Sequence, residues 1–128
     1  MGAFVNFENK VIRAAAILTT SYVAGTVLED CGRYNQIVLS IVYVKGSLTS
    51  LELKFEFSHD GVNYVQETAS AVSGGTDTLS LLEHTYSGAT AGLEISVPTL
   101  AQYVKISAKG TGTVTSSALL LVARLGVV

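Results

Sequence analysis

Between Thr49 and Tyr64 the chain reads TSLELKFEFSHDGVNY, and its apolar and polar positions alternate strictly. Leu51, Leu53, Phe55 and Phe57 fall on one side of that alternation, and Glu52, Lys54, Glu56 and Ser58 on the other. A period of two places successive side chains on opposite faces of a strand, one face on a core and one toward water. The strand runs into Asp60-Gly61, where an Asp side chain stabilises a tight turn and Gly accepts positive φ. Asn63–Ala69 then returns, so the unit reads as a β-hairpin. Gln102–Lys109 repeats the alternation, with Val104, Ile106 and Ala108 against Tyr103 and Lys105, and Leu93–Val97 (LEISV) repeats it again up to Pro98. Two segments break the rule. Gln36–Val44 (QIVLSIVYV) and Thr115–Leu125 are apolar on both faces, which predicts central strands buried on both sides or lying at an interface.

Further short strands are predicted over Val11–Leu18, Tyr22–Leu28 and Thr78–Tyr86, separated by loops at Cys31–Asn35, Ser73–Asp77, Ser87–Gly92 and Gly110–Thr113. About nine strands at spacings of about 8–12 residues, with no helical periodicity, predict an all-β, single-domain antiparallel β-sandwich of jelly-roll type. The sandwich is expected over residues 11–128, with Leu51, Leu53, Phe55, Phe57, Val104 and Ile106 in its core. Residues 1–10 are expected to form an N-terminal arm carrying Phe4, Val5 and Phe7, free to order on a neighbour; the alternative is an edge strand of the same subunit.

Composition sharpens the picture of the surface. Of 128 residues, 48% are hydrophobic and only 14% charged, well under the usual quarter of a soluble domain. Ser, Thr, Asn and Gly must cover the outside, and such a surface loses little when other subunits cover it. Low charge and two-sided apolar strands together predict a homo-oligomer. The net charge of −2 and the lack of a basic cluster argue against direct binding of nucleic acid. The apolar runs are strand-sized, and the stretch Lys10–Gly25 breaks at Thr19-Thr20-Ser21, so neither a membrane span nor a signal peptide is expected. The single cysteine, Cys31, excludes an intrachain disulfide and reads as a small core residue of a protein folded in a reducing cytoplasm.

Each candidate for chemistry has a structural reading that accounts for it. His59 and His84 are the only histidines, and neither stands at metal-ligand spacing from a second donor. Glu83 and His84 are strand neighbours and point to opposite faces. Asp60-Gly61-x-Asn63 lacks the repeating acids and distal Glu of a calcium loop. Gly110-x-Gly112 precedes no helix and cannot cradle a phosphate. Glu52 and Glu56 straddle Lys54 on what reads as a solvated strand face. Tyr64, Tyr86 and Tyr103 could form a sugar platform or pack at the rim of the core, and the chain has no Trp to strengthen the first reading. No nucleophile–base pair emerges, so a non-enzymatic protein without catalytic residues, metal or cofactor is expected.

The run Phe55–Tyr64, F-x-F-S-x-D-G-x-N-Y, resembles one found in small virion proteins of tailed bacteriophages. The run Tyr103–Lys109 followed by GTGTVTSSALLLVARLG, and TTSYVAGTVLEDCGRYNQIVL near the start, resemble the same proteins, so the likeness extends over most of the chain from about Val11 onward. The resemblance implies a capsid decoration (cement) protein or another minor structural protein of a phage particle; a decoration protein would lie on the capsid surface of the virion, partnered by the major capsid protein lattice, and be trimeric because such proteins often occupy three-fold positions. Phe4, Val5 and Phe7 of the arm and the apolar end Val127 and Val128 are the candidate partner-interface residues. The alternative is a receptor- or glycan-binding β-sandwich module of a phage tail or fibre.

Overall fold

A computed structural model describes residues 7–99 and 101–128. Every regular element but one is a strand. In chain order they are β1 (Phe7–Ala16), β2 (Val23–Ala24), β3 (Gln36–Val44), β4 (Leu48–Ser58), β5 (Val65–Gln66), β6 (Thr68–Ser73), β7 (Thr76–Leu81), β8 (His84–Tyr86), β9 (Gly92–Pro98), β10 (Tyr103–Gly112) and β11 (Ala118–Gly126), with a single 3-10 turn at Cys31–Arg33. One sheet has the order β1-β11-β3-β9, and the other β2-β10-β4, with β5 and β8 sharing the far edge of β4. Every pairing is antiparallel. The two sheets contribute to one continuous hydrophobic core, an arrangement compatible with a β-sandwich.

Alternation decides which side chains enter that core. Leu51, Leu53, Phe55 and Phe57 of β4 and Val104, Ile106 and Ala108 of β10 are buried, at most 8% exposed, as their period of two predicts. Ladder pairs Leu53–Ala108, Phe55–Ile106 and Phe57–Val104 set them side by side. Across from them lie Ile37, Leu39, Ile41 and Tyr43 of β3 and Leu119, Leu121, Ala123 and Leu125 of β11. The two-sided apolar character of β3 and β11 now resolves into an inner face in the core and an outer face that is buried at Val38 and open to solvent toward Val42 and Val44. Register places Val11 beside Val122 and Leu120 beside Val42 on that outer face. Val11, Val42 and Val44 are 55%, 50% and 57% exposed there.

Eleven strands rather than about nine arise because two predicted strands divide. The return segment after Asp60-Gly61 pairs with β4 only at Val65 and Gln66, then leaves the sheet as β6. The segment Thr78–Tyr86 breaks at Leu82-Glu83 into β7 and β8. β6 and β7 pair only with each other, forming a separate two-stranded hairpin. The predicted loop at Ser73–Asp77 is the tip of this hairpin. Gly74 and Gly75, at φ 59° and 80°, are the two central residues of its turn, where positive φ at both positions matches the twist of a two-residue hairpin. TASAVS supplies too few inward apolar side chains to hold the segment on the core.

The N-terminal arm requires a correction. Phe7–Lys10 are not free but form the first part of β1, paired with Ala123–Gly126 of β11. Without them the edge of β11 would present unpaired backbone groups, and pairing removes that liability. Phe4 and Val5 lie outside the described residues. At the other end, the Val128 N–H donates to Asn35 Oδ1 at 3.0 Å and its carbonyl accepts from Asn35 Nδ2 at 3.3 Å. Val127 is half-buried and Val128 is 58% exposed, so within the chain the apolar end is held by its backbone hydrogen bonds to Asn35.

Phe55 is fully buried at the centre of the core. Phe55→Ala should cost about 3–5 kcal/mol in urea unfolding, whereas Val42→Ala on the outer face should stay within about 0.5 kcal/mol. The reverse ranking would mean that the two faces of the sheets are wrongly assigned.

Candidate functional site

The Asp60-Gly61 turn is a closed hydrogen-bond network. Asp60 Oδ1 accepts from the Val62 and Asn63 N–H groups, both at 2.8 Å, and from Ser58 Oγ at 2.9 Å, while Oδ2 accepts from Asn63 Nδ2 at 2.7 Å. The Asn63 and Val62 N–H groups, then the Asn63 and Ser58 side chains, hold this fully exposed carboxyl well below its ordinary value of 3.8. Its acceptor capacity is taken up by the loop itself, which accounts for Asp60 without a bound ion. Gly61 has φ 77°, and a Cβ there would come within 3.3 Å of the Tyr103 ring.

The outer face of the β4–β10 ladder is polar, but its expected solvation needs correcting at one position. Glu52 is only 8% exposed. Its Oε1 accepts from Ser50 Oγ and from Thr111 Oγ1, the latter at 2.8 Å, and its Oε2 is buried with no protein partner. Tyr22, from the segment before β2, lies over this face, with the Lys54 and Lys109 ammonium groups each 4.8 Å from its ring centroid. Its hydroxyl is also buried, next to the Glu83 carboxylate. Burial, then the charge of Glu83 and its acceptance of a hydrogen bond from the hydroxyl, then the charge of Glu52, push that hydroxyl up to about 12. Alternation alone placed Glu52 correctly on the outer face; it carried no sign that a tyrosine about thirty residues earlier would cover it.

The two histidines lie in different surroundings. His59 is exposed beside the turn. His84 Nε2 lies 2.9 Å from Glu67 Oε1, and the His84 ring packs edge-on against Phe55 at 5.3 Å between centroids. Glu67 was not identified from the sequence, because β6–β7 separates it from β8 and no local spacing records the meeting. Among the described residues no group of three or more His, Cys, Asp or Glu side chains gathers in metal-binding geometry. Cys31 is wholly buried, and burial followed by the charges of Asp30 and Glu8 pushes its thiol up to about 11, away from nucleophilic behaviour at neutral pH.

The three tyrosines do not converge on a platform. The Lys105 ammonium sits 4.0 Å from the Tyr64 ring centroid, Tyr103 lies over Gly61, and Tyr86 packs edge-on against Tyr43 at 6.0 Å. Tyr86 does help line a cleft of about 420 Å³ where β8 and β9 leave the core open between the sheets; Ile41, Leu51, Leu53, Leu93 and Ile95 supply its apolar lining, and Glu83, His84, Thr85 and Glu94 also border it.

Two surfaces stand out by being apolar and uncovered. One is the outer face of the β1-β11-β3-β9 sheet. The other is one side of the β6–β7 hairpin. Register sets Val72 opposite Asp77, Leu79 opposite Ser70 and Leu81 opposite Thr68, so the three apolar side chains share a face. They are 74%, 67% and 67% exposed. Of the residues expected to meet a partner, Phe7 opens β1 opposite Gly126, and Val127 and Val128 follow β11 beside Asn35. No helix is long and apolar enough to cross a membrane among the described residues. No protein-family model matches the chain, and comparison with curated proteins returns no relative.

Asp60 contributes stability through its depressed carboxyl. That contribution is complete above the unfolded value and fades as pH falls through the folded one. The melting-temperature gap between the native protein and Asp60→Ala should therefore be widest above about pH 5 and shrink steadily under acid. A gap that stays constant from neutral pH into strong acid would show that the carboxylate charge is not what the turn uses. Gly61→Val should lower stability at every pH, since a β-branched residue at this φ is strained and meets the Tyr103 ring. An unchanged melting temperature in that variant would refute the turn geometry.

Proposed function

We propose that this chain is a non-enzymatic structural protein of a phage particle, a decoration protein that lies on the capsid lattice and stabilises it. The observation that carries the reading is the uncovered apolar outer face formed by Val11, Val42 and Val44, with Leu120 and Val122 half-buried between them. Contiguous apolar surface on a soluble chain marks an interaction site more often than chance, and the hairpin stripe Val72, Leu79 and Leu81 adds a second contact. Low charge favours the same outcome, because few ions need desolvating when this surface is covered. The reading places the protein on the virion, with the major capsid protein as partner and a homotrimer as the assembling unit; the trimer rests on the phage resemblance alone.

A jelly-roll connection belongs to this proposal. β1 pairs with β11, β2 with β10, β3 with β9, and β4 with β5 and β8. These pairs are nested like a long hairpin rolled on itself, with β6–β7 as an excursion at the fold point. Such wiring is common to viral shell domains. A glycan-binding tail module is the competing reading, and the separate employment of Tyr64, Tyr86 and Tyr103 weighs against it.

Mixing with undecorated phage capsids tests the proposal. The protein should co-sediment with the shell, and the double variant Val42→Asp/Val44→Asp should remain folded and lose at least tenfold in affinity. Failure to co-sediment with any shell, together with binding on a glycan array, would replace this reading by the tail-module one.

A further inference from the structure

We propose that the open side of the molecule between β8 and β9 is a strand-addition site for an extended segment of a partner protein that alternates aliphatic residues with lysine. The inference goes beyond the decoration reading and does not depend on it, since the cleft lies at a sheet edge rather than on the outer face of the β1-β11-β3-β9 sheet.

Three observations converge. First, β9 ends its sheet: it pairs with β3 on one side and, among the described residues, with no strand on the other. Seven residues of backbone, Gly92–Pro98, offer a template there, and adding a strand to an exposed edge is a recurring mode of peptide recognition. Second, the edge borders a cleft of about 420 Å³, large enough for side chains to enter. Leu93 and Ile95 point inward from β9 and remain partly exposed, although they pack against the core. A strand added to β9 would place its alternate side chains beside them, above Leu51 and Leu53, so aliphatic residues fit those positions. Third, the charge at this edge is negative. Glu94 is exposed on β9, no Lys or Arg lines the cleft, and His84 is engaged by Glu67.

Glu94 lies between Leu93 and Ile95 and therefore faces the outer side of the sheet, where the added strand would present its other set of side chains. A lysine beside Glu94 makes a favourable cross-strand pair, and a carboxylate there an unfavourable one. The same charge argues against a second copy as the occupant. Antiparallel pairing of β9 with itself would bring two Glu94 side chains together. Pro98, which lacks an N–H, further limits that self-pairing.

The probe is an eight-residue peptide alternating valine and lysine, capped at both ends, with a valine–glutamate peptide as its counterpart. Titrated into the isotope-labelled full chain and followed by amide chemical shifts, the lysine peptide should move resonances of Leu93–Val97 and His84–Tyr86. The glutamate peptide should bind on the order of fivefold more weakly or not at all. Glu94→Lys, an exposed substitution that leaves the core intact, should reverse the preference. Equal binding of the two peptides, an unchanged preference in Glu94→Lys, or shifts centred on β6–β7 would each overturn the proposal. A native melting temperature for Glu94→Lys ensures that a lost preference is not lost folding.

Discussion

The constraint on which the rest depends is the burial of alternate side chains along the β4–β10 ladder. Leu53, Phe55 and Phe57 lie beside Ala108, Ile106 and Val104 in a single register; a slip of β4 by one residue would turn its three toward water and bring Lys54 and Glu56 into the core, and a slip of β10 would do the same to its three and bring in Lys105. No other pairing in the molecule penalises misregistration so heavily. The sheet of β3 and β11 is apolar on both faces, so its own composition tolerates either orientation; the ladder opposite supplies the buried surface against which it packs. Once β4 and β10 are fixed, the other elements take the remaining positions: β1 covers the edge of β11, β9 the edge of β3, and the short β2, β5 and β8 the flanks of β10 and β4.

This division explains what the sequence made legible. Strict alternation identified the β4 core residues, and Asp60-Gly61 announced the turn, because both are local signals with local causes. All-β architecture followed from the absence of helical period. The all-apolar segments identified β3 and β11 as two-sided, but the expected burial of both faces holds only at Val38, while Val42 and Val44 on the same outer face are exposed within the chain. What could not be read was non-local. Nothing near Glu52 says that Tyr22 covers it, and nothing near His84 points to Glu67. The split of the expected return strand into β5 and β6 also has no local marker, since it depends on where β4 ceases to offer a partner. Phe7–Lys10 read as an arm because its few apolar residues give no clear period; the neighbouring edge of β11 makes it a strand.

The distribution of charge is as informative as that of apolar residues. The outer face of the β4–β10 ladder concentrates Glu52, Lys54, Glu56, Lys105 and Lys109, with Tyr22 and Tyr64 beneath their ammonium groups. Glu52 keeps one buried carboxylate oxygen without a protein partner, and the buried Tyr22 hydroxyl beside the same cluster has the Glu83 carboxylate as its neighbour. Such groups destabilise a fold unless nearby charge or water compensates them. Here Lys54 and Lys109 supply positive charge at the covering ring. Five charged side chains thus gather on one face, while the outer face of the opposite sheet carries exposed Val11, Val42 and Val44.

The two lateral sides of the molecule are unlike for a connected reason. On one side the chain passes from β1 to β2 and closes the gap itself: the Thr26 N–H donates to the Ile12 carbonyl at 2.8 Å and the Gly25 N–H to the Ile106 carbonyl at 2.9 Å, tying the two sheets together. On the other side the chain spends its length on the β6–β7 hairpin, which leaves the sandwich, and returns only the three residues of β8 to the edge. Had residues 68–81 stayed on the edge of β4, they would have filled the space that is now a cleft. The projecting hairpin and the open cleft are therefore two consequences of one diversion of chain. A two-stranded hairpin gains little stability alone in water, and an apolar cleft keeps partly exposed the surface that a closed core would bury. Both features lower the stability of the isolated chain, and contact with a partner would return part of that loss as binding energy.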